Sequence, residues 1–453
     1  MAHLIAAIAT YPQPSAIGVV RLSGEGCFRA LDTVFRAKNG KSADLWENRK
    51  LTLGHLLDAE GRVLDEVLAT VSRAPHSYTG EDTAELQCHG SPAVLSAALE
   101  SLFRAGAQQA GPGEFTRRAF LNGQLDLTQA EAVIDLIEAQ TARAAQNAAG
   151  QLAGSLTKKL MPIYDGITDI LSHFHAVLDY PDEEIPEFRL EEFRATLDGY
   201  RATLESLENS YGRGQYLNKG VPAVILGSPN AGKSSLLNAL AGYDRVIVTA
   251  IPGTTRDTVE ETILLGGHAV RLTDTAGIRE TTDTVEAMGV QRSMQAAQSA
   301  QLAIFVCDGS RPLTEEDRIA IRQAQNAPMQ IGVINKCDLA LAVKAEDLPF
   351  RTVITVSAKE GIGMDDLEAA AAALLADATP ADGSILTNTR QLAAVVRAKD
   401  CLTAVLDSMD LGFTPDAVLV DAEAALEALG EMTGRAMRED VVNRIFERFC
   451  VGK

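Results

Sequence analysis

The stretch Gly227-Ser-Pro-Asn-Ala-Gly-Lys233-Ser234 constrains this chain more than any other. It matches G-x-x-x-x-G-K-[ST], and it lies between the apolar run Ala223–Leu226 and the helical run Ser235–Leu240. A strand, a tight glycine loop and a helix in succession satisfy that pattern. The glycines let backbone N–H groups turn towards phosphate oxygens, and the helix N-terminus adds the positive end of a dipole. Lys233 would reach the β- and γ-phosphates, and Ser234 would ligate Mg²⁺. From Val221 onward the sequence alternates between strand and helix, with apolar strands expected at 222–227, 269–273, 302–307, 330–334 and 352–356. That alternation predicts a mostly parallel sheet, ending near residue 376.

Three further motifs follow three of those strands. Asp274-Thr-Ala-Gly277 puts a carboxylate at a strand end, where it can hold Mg²⁺ through water, and a Gly277 amide that can touch the γ-phosphate. In Asn335-Lys-Cys-Asp338 a carboxylate can accept from both N1–H and the exocyclic amine of guanine. Adenine lacks that donor pair, and a site built on such a pair rejects it. Ser357-Ala-Lys359 supplies a loop that could close over the base. Alone each is weak; in this order the four resemble the G domain of translation-factor-related GTPases. Gly253-Thr-Thr-Arg-Asp257 would then be switch I, with Thr255 reaching Mg²⁺ and the γ-phosphate. The expected GTP-binding set is Asn230, Ala231, Gly232, Lys233, Ser234 and Ser235; Thr249, Ala250, Ile251, Pro252, Gly253, Thr254 and Thr255; Asp274, Thr275, Ala276 and Gly277; Asn335, Lys336 and Asp338; and Ser357, Ala358 and Lys359. Ile278 stands where Ras-like GTPases carry a water-orienting Gln. Arg256, Arg279 and Glu286 lie close enough in sequence to supply that role, and spacing does not choose among them.

The rest of the chain has two textures. Residues 1 to about 118 carry short alternating or β-branched runs (Ile17–Leu22, Lys50–Leu56, Val67–Val71, Thr83–His89) and one helix at about Pro92–Ala105, which reads as a small α+β domain. Leu125–Ala149, Leu152–Leu178 and Leu190–Tyr211 have helical period, broken at Pro181-Asp-Glu-Glu-Ile-Pro186. Helical pattern resumes at 389–449 after the small-residue linker Ala376–Ser384. The simplest architecture is multidomain: an α+β domain at 1–118, a helical bundle made of 119–216 and 379–453, and an α/β P-loop GTPase domain at 217–378 inserted between the two bundle segments.

Length and composition agree. At 453 residues the chain suits about three domains, each able to bury its own core. Its six cysteines are scattered without a C-x-x-C pair, which argues against a disulfide framework or zinc site and for a reducing cytoplasm. His173 and His175 stand at i and i+2, which do not share a helix face, so they are no metal pair. No run reaches the ~20 apolar residues that span a bilayer, and no membrane partner is expected. The net charge of −20 argues against nonspecific coating of nucleic acid or an anionic membrane.

The motifs then become specific. Thr79-Gly-Glu-Asp82 precedes Glu85 and His89-Gly90, and Pro112-Gly-Glu-Phe115 precedes Arg118-Ala-Phe-Leu-Asn122. Leu125-Asp-Leu-Thr-Gln-Ala-Glu-Ala132 follows, and the chain closes on Phe449-Cys-Val-Gly-Lys453. With the inserted GTPase domain, these pieces make the whole chain resemble the tRNA-modification GTPase family called MnmE or TrmE.

The resemblance implies a homodimer that works with a flavoprotein, MnmG, as a heterotetramer. Together they would add an aminomethyl-type group, usually carboxymethylaminomethyl, to C5 of the wobble uridine of certain tRNAs. A 5-formyl- or 5,10-methylene-tetrahydrofolate type of folate would give the one-carbon unit, and FAD and NADH would belong to the partner. It implies K⁺ ligation by Asn230, Thr249, Ile251 through its carbonyl, and Thr254; Mg²⁺ ligation by Ser234 and Thr255; and Glu286 as the catalytic water-orienting residue. Arg256 and Arg279 become switch residues, and pairing of G domains would explain how Ile278 is tolerated. Folate would be held by Arg21, Glu85 and Lys453, with Gln124 at a position usually Lys, where the donors remain and the charge is lost. Cys450 falls at the family position linked to the modification chemistry. A regulatory G-protein switch with no role in RNA chemistry is the other reading; it would need neither the folate-like set nor Phe449–Lys453.

Overall fold

The computed structural model describes residues 3–180, 188–245, 260–273, 300–376, 382–435, 445–446 and 449–452. Two compact units emerge: Met1–Ile134 with Leu152–Asp198 and Arg397–Lys453, and Asp135–Gln151 with Gly199–Val396.

The first unit holds a seven-stranded sheet. Its strands are β1 (Ile5–Ile8), β2 (Ser15–Ser23), β3 (Phe35–Ala37), β4 (Thr52–Leu57), β5 (Val63–Ser72), β6 (Thr83–Gly90) and β7 (Gln108–Gln109). They run in the order β3-β4-β5-β6-β2-β1-β7, antiparallel except where β7 joins β1. Alternation decides the faces: Val67, Ala69 and Val71 of β5, and Ala84, Leu86 and Cys88 of β6, point into one core. Helices α1 (Cys27–Val34) and α2 (Pro92–Arg104) cover that face with Leu31, Val34, Leu95, Ala98 and Leu102. Pro92 suits the first turn of α2, where its missing N–H would have no partner. The sequence pattern predicts only α2. α1 has just eight residues and runs straight into the strand residue Phe35, so its period is cut before it can register.

Helices α3 (Glu114–Leu121) and α4 (Leu127–Ile137) follow. The single helix expected over Leu125–Ala149 is two, because α5 (Ala142–Leu152) starts afresh. Thr141 Oγ1 accepts the Ala144 N–H at 3.0 Å, the bond of a helix N-cap. α6 (Ser155–Asp179) and α7 (Arg194–Lys219) are the long helices the sequence shows.

The second unit carries a six-stranded sheet. Its strands are β8 (Val221–Leu226), β9 (Glu260–Leu265), β10 (His268–Thr273), β11 (Leu302–Asp308), β12 (Met329–Asn335) and β13 (Val353–Thr355), in the order β13-β12-β11-β8-β10-β9. All pairings are parallel except β9 against β10. That edge hairpin turns on Gly266 and Gly267, whose φ angles of 58° and 79° are what a type I′ turn requires. The five expected strands are present; β9 is the addition. Helices α8 (Lys233–Arg245), α9 (Glu315–Ala324) and α10 (Met364–Leu375) complete the layers. Leu236, Leu240, Leu367 and Ala371 pack on Ala223, Ile225, Ile304 and Val333, while Ala320, Ile321 and Ala324 pack on Val224, Phe305 and Ile334. Burial on both faces is why these strands read as continuous apolar runs.

A single residue, Gly220 with φ 79°, separates α7 from β8. On the way out, Ser384, Ile385, Leu386 and Thr387 are buried. Gln151 Nε2 donates to the Ile385 carbonyl at 2.7 Å, and the Leu386 N–H donates to Ser210 Oγ at 3.1 Å. A Cβ at Gly150 would stand 2.2 Å from the Asp382 carbonyl oxygen, and one at Gly214 1.9 Å from that of Leu386. Two glycines thus open α5 and α7 to this segment. The last helices are α11 (Thr389–Asp410) and α12 (Pro415–Thr433). Among the described residues no helix is long and apolar enough to cross a membrane.

Candidate active site

β8 lies between β11 and β10, so connections leave it towards both sides of the sheet. A crevice at the carboxyl ends of such strands is where open α/β sheets bind ligands. Gly227 to Gly232 turn there, just after β8. A Cβ on Gly227 would meet the Val306 carbonyl oxygen at 2.1 Å, and one on Gly232 would meet Asn335 Nδ2 at 2.1 Å. Both glycines are therefore required by close approach. Asn230 takes a left-handed φ of 62° and is exposed, as are Ser234 and Ser235 at the start of α8. Lys233 Nζ donates to the carbonyls of Gly227 and Ser228, each at 2.9 Å, and burial lowers its pKa.

Asn335, at the end of β12, is buried and works on both sides. Its Nδ2 donates to the Ala231 carbonyl at 2.9 Å, and its Oδ1 accepts the Ala358 N–H at 3.1 Å. The phosphate loop and the Ser357–Lys359 loop are thus tied through one amide. Ser357 Oγ donates to Asp338 Oδ1 at 2.6 Å, and this bond holds the exposed Asp338 carboxyl below the usual carboxylate range. Lys336, at φ 66°, places Nζ 2.6 Å from Asp308 Oδ2. Lys359 is exposed and pairs with Glu360 at 3.2 Å.

One contact at this site carries no motif signal. Arg311, in the loop after β11, donates from Nη2 to Ser228 Oγ at 2.9 Å and from Nη1 to Asp317 Oδ2 at 3.1 Å. Asp317 also accepts from the N–H and hydroxyl of Thr314, the capping box that opens α9. Burial raises the Asp317 pKa, but hydrogen bonds from Ser228 and Thr314 and the Arg311 charge outweigh it, and the net shift is downward.

In the first unit, Arg21 on β2 and Glu85 on β6 are register partners, and Arg21 Nε donates to Glu85 Oε1 at 2.8 Å. Arg21 Nη1 donates to the Gly452 carbonyl at 3.4 Å, and the guanidinium lies 5.7 Å from the ring centres of both Tyr78 and Phe115. The C-terminal peptide is seated by a Pro112–Val451 bridge and by the Gly113 N–H donating to the Cys450 carbonyl at 3.2 Å. Gly113 has no room for a Cβ, which would meet Phe449 at 2.6 Å. Cys450 is exposed. Gln124 is exposed too and packs on Gly80.

The comparisons bear on the whole chain. The tRNA modification GTPase MnmE of Roseiflexus sp. (strain RS-1) is 42% identical to it over 99% of both chains. That of Symbiobacterium thermophilum is 43% identical, again over 99% of both. The profile of the MnmE helical domain matches residues 127–450, and that of the GTP-binding protein TrmE N-terminus matches residues 4–124. The chain belongs to the MnmE (TrmE) family.

The structure gives several MnmE-type motif residues a structural task that sequence reading did not assign. Arg118 is buried and donates to Glu81 Oε2 at 2.9 Å, to Glu114 Oε1 at 2.8 Å and to the His3 carbonyl at 3.0 Å. Ser23 Oγ bonds Thr79 Oγ1 and Glu81 Oε2, each at 2.7 Å, and Asn122 Nδ2 donates to the Thr79 carbonyl at 2.7 Å. Thr79-Gly-Glu-Asp82 and Arg118–Asn122 are therefore two halves of one polar network built on the buried Ser23, Thr79 and Arg118. A buried Arg with two carboxylates was the available signal, since such a group must be paired. Thr249 to Arg256, Asp274 to Arg279, Glu286 and Lys453 of the MnmE-type assignment lie outside the described residues.

Proposed function

We propose that the protein is a K⁺-activated GTPase that works with an MnmG-type flavoprotein to install a carboxymethylaminomethyl-type group at C5 of the wobble uridine of certain tRNAs. As a member of its family it is a GTP hydrolase that acts in tRNA modification. The observation that carries the finer reading is the meeting of Arg21, Glu85 and the Cys450–Gly452 peptide in the first unit, which a bare switch has no use for.

In this reading the phosphate loop binds the nucleotide through its N–H groups and Lys233, which exchanges the carbonyls of Gly227 and Ser228 for phosphate oxygens. Asp338, oriented by Ser357, selects guanine. The described part of each cation set fits: Ser234 offers an exposed hydroxyl for Mg²⁺, and the left-handed turn at Asn230 leaves its amide exposed for K⁺. When bound, these cations supply positive charge against the phosphates. Thr249, Ile251, Thr254 and Thr255 would complete the ligands, and Glu286 would orient water. Arg21 suits the anionic tail of a folate, Glu85 can accept from pterin N–H groups, and Gln124 and Lys453 would add contacts. Cys450 would serve the modification chemistry. The homodimer, the heterotetramer, FAD and NADH on the partner, the cytoplasmic location and the domain limits at 118, 216 and 378 belong to the same proposal.

The deciding experiment is GTP turnover in K⁺ and in Na⁺ at equal ionic strength, with ATP as control. Faster turnover in K⁺ with ATP ignored is expected. Equal, slow rates in both salts would remove the K⁺ assignment. An unchanged wobble-uridine profile in cells lacking the protein would leave only a regulatory switch.

A further inference from the structure

The segment from Asp308 to Asp317 touches both halves of the nucleotide site. Asp308 holds Lys336 of the base loop, and Arg311 holds Ser228 of the phosphate loop. Ser310 fixes Asp308 in turn, donating from its N–H at 3.0 Å and its hydroxyl at 2.7 Å. We infer that Arg311 is a positioning residue for the phosphate loop, anchored on Asp317 and acting through the Ser228 hydroxyl. The inference rests on the nucleotide-site reading above.

The argument runs from anchor to loop. Asp317 is 1% exposed and sits in the first turn of α9, so it is a fixed point. A guanidinium spans two acceptors at once, and here one arm takes that fixed carboxylate while the other takes the loop hydroxyl. Ser228 is also one of the two residues whose carbonyls hold Lys233. Fixing Ser228 therefore fixes the start of the loop just before the left-handed turn at Asn230. A loop already in its bound shape loses less conformational freedom when it closes on phosphates. The gain should be the same for GDP and GTP, because Arg311 acts on the loop through Ser228 and its other contacts, Asp317 and the Pro312 carbonyl, also belong to the protein. It is uniform binding, which moves KM and leaves kcat alone. A lysine could pair with Asp317 but could not span both acceptors.

The test titrates full-length protein with fluorescent GDP and GTP analogues and measures KM and kcat for R311A, R311K, S228A and R311A/S228A. R311A and S228A are each expected to weaken both nucleotides about tenfold, a hydrogen bond to a charged group. KM should rise alike while kcat stays within about twofold of the parent. The double variant should be no weaker than S228A alone by more than about twofold, because S228A already removes the Arg311–Ser228 bond together with the Ser228–Asp317 one. R311K should melt with the parent yet keep most of the affinity loss, which a merely structural role would not produce. The inference is overturned if the parent binds and R311A stays within about twofold of it, or if the double variant shows the product of the two single losses. Should R311A not fold, unchanged affinity in both S228A and R311K overturns it equally. A parent protein that binds no guanine nucleotide overturns the site reading, and this inference with it.

Discussion

Asn335 shows how much one side chain does at this site. Its amide ties the Ala231 carbonyl to the Ala358 N–H, and Gly232 has no Cβ because the same amide occupies that space. Asn335→Ala removes one buried and one half-buried hydrogen bond, so urea denaturation should show a loss of about 1–3 kcal/mol. GDP titration should show an affinity fall of more than about tenfold. Asp317 sets a pH dependence. Its folded pKa lies below its unfolded value of about 3.9, so its contribution is complete above that pH and fades as the pH falls through the folded value. Melting points of the parent and Asp317→Asn should differ at pH 7, begin to approach one another below about pH 4 and converge only once the pH has fallen through the lower folded value. Thiols divide by burial, which pushes Cys88 and Cys307 up to about 12 and Cys27 higher still. Iodoacetamide should modify exposed Cys450 first, then Cys337 and Cys401, and reach Cys27, Cys88 and Cys307 only after unfolding. The residues that would touch nucleotide were legible because motif chemistry is local. Arg311 was not, because its partners Ser228 and Asp317 lie 83 and 6 residues away and the pattern names only one of the two loops.

At the scale of elements, apolar runs exposed β8, β11 and β12, since strands buried on both faces have no polar alternation to confuse them. β9 escaped because it needs a partner and a Gly266-Gly267 turn to exist. α1 escaped because it is short, and the α4–α5 break escaped because one threonine cap makes it. The sequence shows a small-residue linker at Ala376–Ser384; its last residue, Ser384, and the Ile385, Leu386 and Thr387 that follow are buried between helices of the second unit. Gly214→Ala tests that seat. The new methyl would stand 1.9 Å from a backbone oxygen that cannot rotate away, so differential scanning calorimetry should find a loss of about 1–3 kcal/mol. Ser210→Ala, which removes only one hydrogen bond to Leu386, should cost about 1 kcal/mol.

Over the whole molecule, the second candidate site is the part that local reading reaches least. Arg21 and Glu85 are brought together by strand register, and Gly452 arrives from 431 residues away. Family motifs named these positions; only the fold makes them neighbours. The charge of −20 is the other whole-molecule property. A chain this acidic should hold tRNA weakly by itself, with the proposed flavoprotein partner supplying most of the phosphate contacts. Filter binding across a salt series should show a shallow slope for this chain and a steep one for the complex. Tight binding by this chain alone would contradict that division of labour.

The two glycines at 150 and 214 have a mechanical meaning. Helix α7 passes into β8 with one residue between them, and the departing strap is locked into notches in α5 and α7. Within the second unit the segment is thus not a slack cord but a wedge keyed between two rods. Slack would absorb a displacement; a wedge of this kind would hand one on between α5 and α7.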